Sequence, residues 1–188
     1  MTIRAICIYG EPVLHQRAQE VTVFDKELRT LVRDMYDTMD KAPGVGLAAP
    51  QIGVGLRVFV YDYPDDDDNE RRGVLINPIL EISEVSEEPA DEDLDQEGCL
   101  SVPGERFPLQ RAERCIITGV DLDQKPVRIE ADGWYARVFQ HEFDHLDGTI
   151  YVDKLAEPWK EIAFDIMGDN GWKKPGVSWM PGKDKLEA

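Results

Sequence analysis

QHEFDH, at residues 140–145, is the strongest signal in the sequence for the fold and for the chemistry that this chain can support. On an α-helix, His141 and His145 lie one turn apart on the same face, so both imidazoles can reach one metal ion. Glu142 then lies beside that ion, where its carboxylate can act as a general base. Two histidines at this spacing also occur by chance in unrelated helices, so the rest of the sequence must supply further evidence.

The residues around this stretch predict a buried helix. Asp132 is a suitable N-cap, and Gly148 is a suitable terminator. Gln140, Asp144 and Asp147 form the polar side. Apolar and site residues form two neighbouring stripes at helical spacing: Trp134, Val138, His141 and His145, then Tyr135, Phe139, Glu142 and Leu146. Because a helix with two such stripes packs in the interior, we expect a metal site inside the protein.

A catalytic metal also needs a third protein ligand and one open position. The sequence contains no histidine after His145, and the acidic residues there show no recognised ligand spacing. This argues against a zinc peptidase, which takes its third ligand downstream. Cys99, upstream of the helix, is the one well-placed thiolate. Cys7 and Cys115 lie in apolar stretches, and we expect them to be unreactive core residues.

Composition excludes several classes of protein. The chain has 188 residues, 42% of them hydrophobic, which suits one folded domain over residues 1–188 and excludes disorder throughout. No apolar run reaches the ~18 residues of a membrane span, and the N-terminus lacks the features of a secretion signal. A net charge of −17 disfavours nucleic-acid binding, which relies on Lys and Arg. Three cysteines without a CxxC pair indicate a cytoplasmic protein.

The remaining pattern predicts an α+β fold. Residues 25–41 form an amphipathic helix with Asp25 as N-cap, and Pro43 ends it. Residues 159–167 form a shorter helix, followed by an irregular tail from about residue 168. Strands are predicted at residues 56–61, 74–80, 114–122 and 126–131, the last two as a hairpin. This order favours small antiparallel or mixed sheets packed around the central helix rather than repeated βαβ units.

Two acidic stretches, residues 62–70 and 81–97, account for much of the negative charge. Neither contains the DxDxDG pattern of a calcium loop, so we interpret both as solvated loops. Residues 83–96 are expected to form a surface excursion before Cys99.

Three segments together resemble the peptide deformylase family. They are GVGLAAPQ at residues 44–51, EGCLS at 97–101 and QHEFDHLDG at 140–148, and every letter of the family patterns is matched. Their occurrence in the family's order argues strongly against coincidence. The resemblance covers roughly residues 3–155, and the tryptophan-containing tail is similar to that of a subset of bacterial members.

This resemblance implies an enzyme that removes the formyl group from the N-terminal formylmethionine of newly made proteins. The implied metal ligands are Cys99, His141 and His145. Glu142 is implied as general acid and base, and Gln51 with the Leu100 backbone N–H as donors to the oxyanion. The implied ion is Fe²⁺, which Ni²⁺, Co²⁺ or Zn²⁺ can replace. An inactive, binding-only relative should have lost Gln51, Cys99 or Glu142, and all three are present.

The resemblance also implies how the substrate binds. In similar enzymes an extended peptide pairs with backbone that corresponds here to Val45, Gly46 and Gly98. Glycines at 44 and 46 would allow that close approach of another backbone. The methionine side chain is expected to enter a pocket near Trp134, Val138 and His141. The expected partners are formylmethionyl nascent polypeptides near the ribosome, without contact to nucleic acid or a membrane.

Three residues keep more than one interpretation. Arg137 either borders the methionine pocket, which we favour, or forms a surface salt bridge. Glu97 is either the last residue of the acidic run or a group that orders the site. The second role is favoured and would act through an arginine such as Arg111 or Arg114. His15, alone in an N-terminal loop, is expected to be structural.

Overall fold

In the computed structural model, the described residues 2–64, 71–184 and 186 form three α-helices and nine β-strands. The helices are α1 (Lys26–Lys41), α2 (Gly133–Leu146) and α3 (Trp159–Asp169). The strands are β1 (Ile6–Cys7), β2 (Gly46–Ala48), β3 (Val58–Asp62), β4 (Arg72–Ile82), β5 (Gln96–Cys99), β6 (Val102–Pro108), β7 (Arg114–Val120), β8 (Pro126–Asp132) and β9 (Ser178–Trp179). Short 3₁₀ turns occupy residues 12–15, 49–52 and 151–154. This is the α+β fold that the sequence predicts.

Three antiparallel sheets are present in the described residues. The largest has the strand order β2-β3-β4-β7-β8, while β5 pairs with β6 and β1 pairs with β9. The register of β4 against β7 shifts between Ile76 and Ile79. Asn77 lies there with a positive φ of 51°, and its side-chain amide bonds both Val21 N and Val21 O. The irregularity is therefore fixed by hydrogen bonds, as expected of a bulge.

The large sheet is covered by one helix on each face. In β3, Val58 and Val60 pack in the cluster that contains α1, whereas Phe59 and Tyr61 pack in the cluster that contains α2. Alternate side chains of a strand point to opposite faces, so a strand with both faces covered is apolar throughout. The sequence VFVYD of β3 has this character.

Helix α2 is the central element because it packs against one face of the large sheet. Phe139 is fully buried and contacts Phe59 and Tyr61, with ring centroids 6.1 and 5.1 Å apart. Burial of one such side chain stabilises the fold by about 1.5–3 kcal/mol. Gln140, expected on a polar side, is instead buried, because its amide bonds both the N–H and the carbonyl of Ala112.

The ends of α1 and α2 agree with the sequence in part. Asp25 caps α1 by accepting a hydrogen bond from Leu28 N, and the helix ends before Pro43. Gly148 has a φ of +77° just after α2, as a terminating glycine should. Asp132 occupies the N-cap position of α2, but its side chain makes no capping hydrogen bond.

The segment after residue 168 was expected to be irregular, but part of it has regular secondary structure. Helix α3 runs on to Asp169, and Ser178–Trp179 forms β9 against β1 near the N-terminus. A two-residue strand has no periodicity that a sequence pattern can show. In the acidic excursion, residues 84–89 and 91–94 are exposed as predicted. Residues 65–70 of the first acidic stretch lie outside the described residues.

None of the described helices combines the length and the apolar content that crossing a membrane requires. His15, expected to be structural, contacts Tyr9: its Nε2 lies 2.5 Å from Tyr9 O, and the two rings meet edge to face.

Candidate metal centre

Three side chains bring their donor atoms together in the interior. Cys99 ends β5, while His141 and His145 face it from α2. The Cys99 Sγ atom and His141 Nε2 each lie 3.2 Å from His145 Nε2, and the ligand atoms all lie within 4.8 Å of one another. Ligand atoms in tetrahedral N/S sites are about 3.3–3.7 Å apart, given bonds of about 2.0–2.3 Å. The three donors therefore suit a single divalent ion.

The orientation of His141 is fixed by Glu97. Its Nδ1 lies 2.7 Å from Glu97 Oε1, so the proton on Nδ1 is donated to the carboxylate. The Nε2 lone pair is then directed toward Cys99 and His145, where a metal would bind. Such a carboxylate–histidine pair orients ligating imidazoles in metalloproteins. The other imidazole differs, since His145 Nδ1 is buried and has no hydrogen-bond partner among the described residues.

Glu97 is itself held by buried arginines. Arg111 donates to both of its carboxylate oxygens, at 3.0 and 2.6 Å, and Arg137 donates to Oε2 at 3.2 Å. Burial alone would raise the pKa of Glu97, but Arg111 and His141 lower it well below its usual range. Glu97 thus contacts His141 directly, and Arg111 holds the Glu97 carboxylate in place. Arg114 is exposed, and its backbone N–H bonds Ser83.

Arg137 lies in the wall of the cleft described below, is only 8% exposed and forms ion pairs with Asp95 and Glu97, so it both borders the cleft and takes part in a salt bridge. Its guanidinium donates to Asp95 at 2.5 Å and to the Leu109 carbonyl at 2.6 Å. It also lies over the ring of Trp134, 4.8 Å from the centroid. The last residue of the acidic excursion before β5, Asp95, is therefore joined to the wall of the site.

Glu142 is buried next to the donor atoms. Its Oε2 has no hydrogen-bond partner among the described residues, and burial raises its pKa to about 7. A Cβ atom at Gly46 would lie 2.9 Å from Glu142 Cγ and closer still to the carboxylate. The sequence suggested that glycine here admits another backbone; in the structure the space beside Gly46 is filled by the Glu142 side chain.

Gln51 lies in the 3₁₀ turn after β2 and faces the donor atom of Cys99. Its Oε1 accepts a hydrogen bond from Ala48 N at 2.9 Å, which fixes the orientation of the amide. Its Nε2 is thereby directed toward the site, 3.6 Å from Cys99 Sγ and 3.4 Å from Ser101 Oγ.

These groups open onto a cleft of about 470 Å³. The residues selected from the sequence that line it are Val45, Gly46, Gln51, Gly98, Cys99, Leu100, Trp134, Arg137, Val138, His141 and Glu142. His145 lies behind this surface. The cleft is also lined by Tyr63 and Trp179, which sequence reasoning missed. Neither lies in a motif, and no local pattern connects them with the site.

Comparison with known proteins assigns the chain to a family. The model of the family described as polypeptide deformylase matches residues 3–161. The chain belongs to this family. It is 51% identical to peptide deformylase 2 of Corynebacterium efficiens, over 98% of this chain and 96% of that protein. It is 52% identical to the peptide deformylase of Mycolicibacterium paratuberculosis, over 97% and 96%.

Solved structures of the family have the same fold. The peptide deformylase of Legionella pneumophila is 37% identical, with a TM-score of 0.74 over 93% of this chain and 100% of that one. The enzyme from Ehrlichia chaffeensis in complex with actinonin is 32% identical, with a TM-score of 0.78 over 90% and 98%.

The close approach of Gly46 to Glu142 predicts the result of Gly46→Ala. The added methyl group must displace the carboxylate, and overpacking of this kind costs about 1–3 kcal/mol. We expect the free energy of unfolding of chelator-treated protein to fall by that amount in urea. Gly55→Ala is the control, because its Cβ would be 3.8 Å from Val13. In a Glu142→Ala background the cost of Gly46→Ala should disappear. An equal cost in both backgrounds would show that Glu142 is not the obstacle.

Proposed function

We propose that the protein is a metal-dependent hydrolase that removes the N-terminal formyl group from formylmethionyl polypeptides and releases formate. The observation that carries this proposal is the convergence of a Cys-His-His donor set, Glu142 and Gln51 at one point of an open cleft. Membership of the deformylase family supports it.

Cys99, His141 and His145 would hold the ion, which we propose to be Fe²⁺. A divalent ion bound there would supply a Lewis acid that polarises the formyl carbonyl and lowers the pKa of a water molecule. Ligand type alone does not select iron, because two imidazoles and a thiolate also suit Zn²⁺. The choice of iron rests on the resemblance to the family.

Glu142 is proposed to move the proton. Its unpartnered Oε2 would accept a proton from the attacking water and then pass it to the nitrogen of the departing amine. A carboxyl group serves both steps best when its pKa is near the working pH, and burial brings Glu142 close to that range.

Gln51 and the Leu100 backbone N–H are proposed to stabilise the oxyanion. The Gln51 amide cannot turn freely, because Ala48 N occupies its oxygen, so its N–H₂ group is preorganised toward the site. Preorganised neutral donors stabilise the transition state without reorganisation during the reaction.

The substrate would bind as an extended strand in the cleft. Among the described residues, β2 is the edge strand of the five-stranded sheet and pairs with β3 on one side, so its other edge would accept a peptide. We propose that the backbone groups holding this peptide belong to Val45, Gly46 and Gly98. The walls proposed for the methionine pocket are Trp134, Arg137, Val138 and His141.

The proposed substrate indicates where in the cell this enzyme would act. Formylmethionine occurs at the start of nascent chains, so we propose that the enzyme meets them in the cytoplasm near the ribosome. We further propose that residues 1–188 act as one catalytic domain.

The test is formate release from formyl-Met-Ala-Ser, measured beside the unformylated peptide with a detector for new amino termini. We expect formate from the first peptide and no internal cleavage of either. Internal cleavage without formate would support a zinc peptidase and refute the proposal.

We expect Glu142→Gln to retain its metal and lose most of its activity. Glutamine preserves the shape but cannot take the proton, and general acid–base groups contribute roughly 10² to 10⁴-fold. The measurement is kcat for formate release with metal content determined on the same sample. Glu27→Gln, on an exposed face of α1, is the control. Near-normal turnover in metal-loaded Glu142→Gln would contradict the assignment.

We expect Gln51→Leu to lower kcat by about 10² to 10³-fold, the usual cost of losing one oxyanion donor. KM should rise by a smaller factor. Leucine also leaves Ala48 N without its acceptor. Gln51→Glu separates the two effects, because glutamate still accepts from Ala48 N but cannot donate to the oxyanion. If Gln51→Glu keeps the wild-type kcat, Gln51 only supports the loop.

The metal itself can be identified by anaerobic purification, metal analysis and reconstitution with each ion. We expect Fe²⁺ to give high activity that is lost in air, since oxygen attacks both the ion and the thiolate of Cys99. Ni²⁺ should protect activity, and Zn²⁺ should support little. Cys99→Ser should bind metal much more weakly, whereas Cys115→Ser, equally buried, should not. Full, air-stable activity with Zn²⁺ would refute the iron assignment.

A further inference from the structure

The C-terminal segment reaches the metal centre through Trp179. This side chain is 1% exposed, and its indole Nε1–H donates to the Leu100 carbonyl at 2.8 Å. Strand pairing holds it there, because Trp179 lies opposite Ile6 in the β1–β9 ladder. Ile8 N also bonds Val177 O at 3.0 Å. A residue 79 positions after Leu100 is thus fixed against the segment that follows Cys99.

The carbonyl that Trp179 bonds belongs to the peptide group between Leu100 and Ser101. The N–H of the same peptide group, on Ser101, donates to Cys99 Sγ at 3.4 Å. One peptide unit therefore joins the indole at one end to the donor sulfur at the other. The next carbonyl, Ser101 O, accepts from Tyr9 N at 3.0 Å, so the chain is also held beyond this unit.

This connection has two physical consequences. A donor on a peptide carbonyl polarises the amide and strengthens the hydrogen bond made by its N–H. Hydrogen bonds to a thiolate ligand withdraw electron density from sulfur and tune the metal it binds. By holding the Leu100 carbonyl, the same contact also limits the combined φ and ψ rotation of Leu100, whose own N–H is the proposed oxyanion donor.

We propose that Trp179 is a positioning residue for the metal centre: through the Leu100–Ser101 peptide it sets the hydrogen bond to the Cys99 thiolate and the direction of the Leu100 N–H. This proposal rests on the function proposed above. A purely structural tryptophan would fill the core beside β1, and its loss would alter stability without altering the electronic state of the thiolate.

The test compares two replacements of Trp179 in the full-length protein loaded with Co²⁺. Trp179→Phe removes the donor together with part of the ring. A β-(3-benzothienyl)alanine residue at position 179, introduced by stop-codon suppression, replaces the N–H by sulfur at nearly the same volume. The controls are Trp172→Phe in the same core cluster and Ile6→Val on the facing strand.

Two readouts are taken at a temperature where circular dichroism shows each protein folded. For both replacements at position 179, we expect kcat for formyl-Met-Ala-Ser to fall about 3- to 10-fold, the size of one net hydrogen bond. KM should change by less than about twofold. The thiolate-to-Co²⁺ charge-transfer band should move to longer wavelength, because a less hydrogen-bonded sulfur holds its electrons less tightly. Neither control should move the band.

The outcomes separate this inference from the proposed function. If wild-type protein releases no formate, the proposed function fails, and the band still tests the connection between Trp179 and Cys99. If the wild type is active but the benzothienyl protein keeps its kcat and its band, the inference is wrong. An equal shift of the band in Trp172→Phe would also overturn it, because the effect would then follow from loosening of the core.

Discussion

The carboxylate of Glu97 lies in the interior beside α2, where burial alone would favour its neutral form. It stays ionised because Arg111 donates to both oxygens and His141 donates from Nδ1. Breaking a buried pair on one side typically costs about 3–5 kcal/mol, since the remaining charge is left uncompensated. The imidazole orientation therefore depends on residues from β5, from the loop before β7 and from α2 that fold together.

The large sheet positions the other half of the site. Helices α1 and α2 pack on its two faces, and the edge strand β2 contributes Gly46 to the lining of the cleft. Gly46 in that strand leaves the space that the Glu142 side chain fills. The turn after β2 presents Gln51 to the same point. Gly46 and Gln51, which both line the cleft, thus lie in one short segment of chain.

Part of this arrangement was predictable from local patterns. The helix of QHEFDH, its terminating Gly148, the Asp25 cap and the apolar β3 follow from spacing and side-chain chemistry. The buried role of Gln140 was not predictable, because its partner Ala112 lies 28 positions away. The choice of Arg111 over Arg114 likewise depends on which arginine the loop turns inward. No sequence pattern indicated that Trp179 lies at the site, because a two-residue strand is too short to show periodicity.

Ligand types at helical spacing and three ordered motifs were enough to predict the donor residues and the family, because such patterns constrain chemistry without knowledge of long-range contacts. The orientation and the ionisation of those donors depend instead on tertiary contacts. The tertiary structure placed Glu97 between two arginines and a histidine, set Gly46 against Glu142 and brought the C-terminal segment to Leu100. Orientation and pKa depend on distances between residues remote in the chain, and those distances exist only after the sheets and α2 have packed.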